Sequence, residues 1–163
     1  MNPNQLILAC MDFFQTDAKR IQHFIKVYEF ARLIGEEEHL SEEELTILQS
    51  AAIVHDVGIR PAEEQYQRCD GKLQEQLGPK EAEKLLQGLF YSQDIIDRVC
   101  YLVGHHHTYQ NIDGIDYQIL VEADFLVNLY EDEVDARGIE AAERKIFRTK
   151  TGKALLLKMF GAK

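Results

Sequence analysis

The apolar run Ala51-Ala52-Ile53-Val54 delivers a histidine and an aspartate side by side, His55-Asp56, with Val57-Gly58 after them. A neutral imidazole and an ionised carboxylate together suit a divalent metal of intermediate softness. Successive helical side chains point about 100° apart, so from mid-helix the pair cannot both face one core. At a last turn, both can lean into the space beyond the helix and share one ion. Gly58 is expected to end the helix there. Such a dipeptide also arises by chance, so its weight rests on what else the chain buries.

Two further stretches supply that weight. Thr16-Asp17 signals the start of a helix from about Ala18 to Ile34, with Gly35 where a C-terminal glycine belongs. On it His23, Val27, Phe30 and Ile34 recur by steps of four, three and four, so His23 points inward. The helix carrying the His-Asp pair starts at the capping box Ser41-Glu42-Glu43-Glu44 and shows Leu48, Ala51, Ala52 and His55 on one stripe. A later helix, from about Asp116 to Glu131, has the stripe Tyr117, Leu120, Val121, Asp124 and Val127. An unpaired buried carboxylate costs several kcal/mol, so Asp124 requires a cation, an arginine or several donors. A single buried histidine is ordinarily a hydrogen-bonded core residue, and a single buried aspartate half of an ion pair. Taken together, His23, His55, Asp56 and Asp124 converge on one metal site.

The other elements are helical too. Gln5 to Phe14 reads as a short leading helix, and Ile59 to Leu77 as an irregular polar loop. Pro79 suits the first turn of a helix to about Phe90. Ser92 caps another, whose Ile95, Ile96, Val99, Leu102 and Val103 lead to His105-His106-His107. Helical segments near Ile139–Phe147 and Gly152–Phe160 close the chain. With no repeats and no strand alternation, the expected fold is an all-α single-domain bundle over residues 1–163. Eighteen basic and twenty-eight acidic side chains give a net charge of −10, which disfavours polymeric nucleic acid and anionic membranes. Cys10, Cys69 and Cys100 form no Cys-x-x-Cys pair, and neither a signal sequence nor a membrane-length apolar run is seen. A cytoplasmic location is expected.

The order His23, His55-Asp56, Asp124 in a helical chain, with VHDVG and LVEADFLVNL around the motif residues, resembles the HD-domain superfamily of metal-dependent phosphohydrolases. The resemblance runs from about Ile21 to Tyr130. It implies a bundle of core helices, the four residues as ligands of a catalytic divalent ion, and hydrolysis of phosphomonoesters or phosphodiesters, nucleotides among them. Two positions depart from the pattern. Ile59 stands where many members have lysine, and Leu77 where dinuclear members have a further histidine. One ion is therefore expected rather than two. His105 and His106 resemble paired histidines that serve a second metal in some members; a solvated helix end is the plain alternative.

From these residues the expected chemistry is attack of a metal-activated water on a phosphate ester. His105 and His106 are candidate proton donors to the leaving group, with Glu75 and Asp70 behind them. Arg60 is the first candidate to neutralise substrate oxygens, ahead of Lys72 and Lys80. Mn, Fe, Co, Ni, Zn and Mg all suit a mixed nitrogen and oxygen donor set. The partner is then a small phosphorylated compound. Two other functions share the scaffold: a metal- or nucleotide-binding module without turnover, and a di-iron oxygenase.

Overall fold

The computed structural model describes residues 2–161. Among them lie nine helices and no strand: α1 (Pro3–Phe13), α2 (Ala18–Glu37), α3 (Glu42–Val54), α4 (Ile59–Tyr66), α5 (Gly71–Gly88), α6 (Gln93–Val103), α7 (Ile115–Glu131), α8 (Ala136–Lys145) and α9 (Lys150–Phe160). Among the described residues no helix is long and apolar enough to cross a membrane.

The bundle is built round α3. Its second half buries Ile47, Leu48, Ser50, Ala51, Ala52, Ile53 and Val54, so it is enclosed on every side rather than along one stripe. Helices α1, α2, α6 and α7 surround it, and Ala51 and Ala52 are small enough to let them close in. At its start Ser41 and Glu44 cap each other: Glu44 N donates to Ser41 Oγ at 3.2 Å and Ser41 N to Glu44 Oε2 at 2.8 Å. Helix α7 lies across α2 and α3 with eleven buried residues. One of them, Glu122, accepts from Thr149 N at 3.0 Å and Thr149 Oγ1 at 2.6 Å, and so docks the start of α9. These polar bonds satisfy a carboxylate that would otherwise be costly to bury.

Three boundaries differ from those expected. Helix α2 runs through Gly35 to Glu37. A Cβ on Gly35 would lie 2.8 Å from Leu45 Cδ2, so this glycine makes room for α3 instead of ending a helix. The stretch from Ile59 to Leu77 is mostly helical: α4 fills its first half, and Asp70 caps α5 by accepting from Leu73 N. Pro79 therefore sits inside α5 and not at its first turn.

Gly58 is the third difference. Helix α3 stops at Val54, and Gly58 opens α4 with φ −68°, an ordinary right-handed value. Its service is spatial. A Cβ there would fall 2.6 Å from Gln74 O and 2.9 Å from Gly78 N, both main-chain atoms of α5 that cannot swing aside. Gly58→Ala should cost about 2 kcal/mol or more in denaturant unfolding. Gly88→Ala, with nothing within 4 Å of the added carbon, should be neutral or stabilise by up to about 1 kcal/mol.

Candidate metal centre

Three imidazoles turn Nε2 toward the Asp56 carboxylate and tie Nδ1 behind them. Helix α3 ends at Val54, which leaves its last carbonyls without helical partners. His55 Nδ1–H donates to one of them, Ala52 O, at 2.7 Å. His106, in the turn after α6, does the same to Val103 O at 2.8 Å. His23, one turn into α2, donates Nδ1–H to Glu131 Oε1 at 2.6 Å. His55 and His106 are almost wholly buried, and His23 nearly so.

Asp56 and Asp124 face these nitrogens. His23 Nε2 lies 3.2 Å from His55 Nε2, from Asp56 Oδ2 and from Asp124 Oδ1. His55 Nε2 lies 3.3 Å from Asp56 Oδ2 and 3.4 Å from Asp124 Oδ1. The structure thus brings together the residues expected as ligands, His23, His55, Asp56 and Asp124. His106 Nε2 approaches Asp56 Oδ1 at 3.4 Å from the other side, yet makes no hydrogen bond and is shut off from solvent.

Arg60 and His105 stand apart from this cluster. The Arg60 guanidinium donates to Phe13 O, lies over the Phe13 ring and pairs with Glu64, in a depression of its own. Its position one residue after Ile59 turns it to the outer side of α4. His105 stacks on Tyr101, ring centroids 4.0 Å apart, with Nδ1 bound to Tyr101 O at 2.7 Å. Of the paired histidines, only the one on the apolar stripe reaches the centre.

Above the cluster opens a cavity of about 430 Å³, whose walls include Lys19, Arg20, Ile59, Gln74, His107 and Asn128. Of these, only Ile59 and, as the end of the histidine run, His107 stood out in the sequence. From α5 it is Gln74, and not Leu77, that faces the cavity; its Oε1 accepts from His107 Nε2 at 2.8 Å. Glu75 accepts from His107 N and Thr108 Oγ1, so it holds the loop instead of reaching the cavity. Asn128 Nδ2 donates to Asp124 Oδ1 at 3.1 Å. Asn128 and Glu131 follow Asp124 by four and seven residues, one helical face, and that spacing is the signal by which both could have been found.

The electrostatics follow from the crowding. For His23, burial acts to lower the pKa, but the bonds to Asp124 and Asp56 outweigh it and raise it to about 10. His55 is raised despite complete burial, by the charges of Asp56 and Asp124. Burial would raise Asp56 and Asp124; the facing histidines hold both well below the usual carboxylate range. His107 goes the other way, to about 4, through burial and the neighbouring His106. Without another cation, the cluster therefore holds protons where a metal would be.

The donor set fits a divalent ion. His23, His55 and Asp56 can each bring one donor atom within 4.8 Å of the others, as can Asp56, His106 and His107, with Asp56 common to both groups. The unpartnered, buried Nε2 of His106 is a lone pair that the fold itself leaves unsatisfied. Neutral imidazoles and carboxylates are the ligands of a borderline ion, with fixed Nδ1 bonds behind the rings.

A pH dependence results. In metal-free protein the His23 contribution to stability is complete below its ordinary 6.5 and lost as pH rises through about 10. The aspartate contributions are present above their ordinary 3.8 and lost as pH falls below it. The thermal midpoint in chelator should thus be highest between these limits and fall on either side. Metal binding must displace the histidine protons, so affinity should drop toward acid pH and titration heats should vary with buffer ionisation.

A family model for the HD domain matches residues 20–145, which takes in the four motif residues and all but the outermost helices. None of the curated proteins compared with the chain matches it. Among solved structures, the chain superposes with a TM-score of 0.67 on the crystal structure of a predicted HD superfamily hydrolase from an uncultured Thermotogales bacterium. That alignment covers 95% of this chain and 83% of the other at 22% identity, a likeness of fold. With the family pattern spanning α2 to α8 and the backbone agreeing, the chain belongs to the HD-domain family.

Proposed function

We propose that the protein hydrolyses a phosphate ester of a small molecule, a nucleotide among the candidates, with a divalent ion held by His23, His55, Asp56 and Asp124. The observation that carries this reading is the convergence of His23, His55 and Asp56, with Asp124 against both histidines, beneath a cavity open to solvent. When bound, such an ion supplies a nucleophile at neutral pH and positive charge for phosphoryl oxygens. The protein's own groups do the rest. Of the two paired histidines, His106 rather than His105 reaches the centre; its Nε2 is uncommitted and faces Asp56, so it is suited to take up a proton there and pass it to the leaving oxygen. His107 stays neutral and, through Gln74, shapes the wall.

For the substrate's charge, Lys19 takes the place expected of Arg60. Arg20 is bound by Asp17 and Glu63, and Lys26 by Glu131. Lys19 lines the cavity and has no ion pair among the described residues. An ammonium there meets a phosphate or second anionic group as a point charge.

Asp56→Ala should abolish both copurified metal and hydrolysis in a screen of phosphate esters across divalent ions. The Asp56 carboxylate bonds only within the cluster, so the variant should still fold; full metal content in it would rule out this centre. His106→Ala should keep the ion and cut turnover by about 100-fold or more, whereas His105→Ala should leave the rate unchanged. If metal stoichiometry and rate fall together in His106→Ala, that histidine is a ligand of a second ion. Metal retention with no hydrolysis of any ester in the parent chain would favour a binding module. Lys19→Met should raise KM by about tenfold with little change in kcat, the pattern of lost ground-state binding.

A further inference from the structure

The three histidines of the cluster differ in what holds the nitrogen behind them. His55 and His106 bind main-chain carbonyls, whose positions the helices fix. His23 binds a side chain, Glu131 Oε1, at 2.6 Å. The other oxygen of that carboxylate accepts from Lys26 Nζ, also at 2.6 Å. Lys26 and His23 sit three apart on α2, and Glu131 reaches across from the last turn of α7. The Glu131 side chain is only 15% exposed, so water competes little for it.

The same face of α7 carries Asp124, the Asn128 amide that steadies it, and Glu131. One helix thus supplies a ligand and the support of a ligand on its neighbour. An imidazole that donates Nδ1–H to a carboxylate presents Nε2 as a lone pair, with a fixed ring plane.

We infer that Glu131 is a positioning residue of the metal centre: it holds His23 in the tautomer and orientation that aim Nε2 at Asp56 and Asp124, and Lys26 in turn holds Glu131. The inference rests on the metal-dependent reading given above. It competes with a plainer role, an ion pair that only ties α2 to α7. The two roles rank the variants differently. A tie is broken equally by removing either partner, and an ion pair with a Lys26 side chain 39% exposed is worth little. Positioning is lost with Glu131 and largely kept without Lys26.

The test is Zn2+ titration against a competing chelator, using the full metal-stripped chain and its Glu131→Ala, Glu131→Gln, Lys26→Met and Asp56→Ala variants. Glu131→Ala should weaken zinc binding by about 10- to 100-fold. Glu131→Gln should fall between it and the parent, because its amide oxygen still accepts from Nδ1–H. Lys26→Met should lose about twofold to threefold, the size of a partly exposed ion pair. Nitrogen NMR of the zinc-loaded parent should show His23 protonated at Nδ1 in a strong hydrogen bond, and that signal should vanish in Glu131→Ala. Equal losses in Glu131→Ala and Lys26→Met, or unchanged affinity in both Glu131 variants, would overturn the inference while leaving the metal centre standing. If Glu131→Ala does not fold, Glu131→Gln against Lys26→Met carries the same comparison. A parent chain that binds zinc no better than Asp56→Ala overturns the metal centre and this inference together.

Discussion

Electron-rich atoms crowd against one another at the end of α3, and that repulsion is what the rest of the structure must answer. The Nε2 atoms of His23 and His55 lie 3.2 Å from each other and 3.2–3.4 Å from Asp56 Oδ2 and Asp124 Oδ1 in a buried space. Burying two carboxylates and two ring nitrogens round one point without a positive charge between them is costly. Protons or a cation must sit among them, and the upward shift of the histidines with the downward shift of the aspartates is the direction the first course requires. A fold that builds such a point has to hold it open against its own repulsion. It does so with groups that bind the far side of each ring: Ala52 O, Val103 O and Glu131.

The surrounding helices supply the rigidity. α3 is enclosed by its neighbours, so His55 and Asp56 project from a helix end that cannot shift. α2 and α7 lie against it and against each other, bringing His23 and Asp124 in from two sides. The close passage of Gly58 over α5 fixes the turn that follows Asp56. Packed interiors of this density change arrangement only at substantial cost, which keeps the four side chains in a fixed relation.

Much of this was legible in the chain. An apolar stripe with one polar member announces a buried polar group, and His23, His55 and Asp124 were each found so. Asp56 was found by adjacency. The polar stretch from Ile59 to Leu77 was misread because its composition suits a loop, while Asp70 and the packing of Gly58 on α5 make most of it helical. Pro79 looked like a helix start, since a proline has no N–H to lose there; it lies inside α5, which Asp70 starts earlier. Lys19 and Gln74 could not be singled out, because polar residues on helices are ordinary and composition does not say which of them a neighbouring helix will cover. They line the cavity because of where their helices end up. Arg60 and His105 were chosen for charge and adjacency, and a rotation of about 100° per residue carried each to another face.

Two helices, α3 and α6, finish at the cluster, and α2 begins at the mouth of the cavity, where Asp17, Lys19 and Arg20 form part of its wall. Aligned peptide dipoles give each C-terminus about half a negative charge and each N-terminus about half a positive one. The cavity accordingly has a polarity of its own, negative at the floor and positive at the lip. Such a field favours a cation at the floor and an anion at the lip. Helix direction thus sorts charge by depth before any side chain is counted.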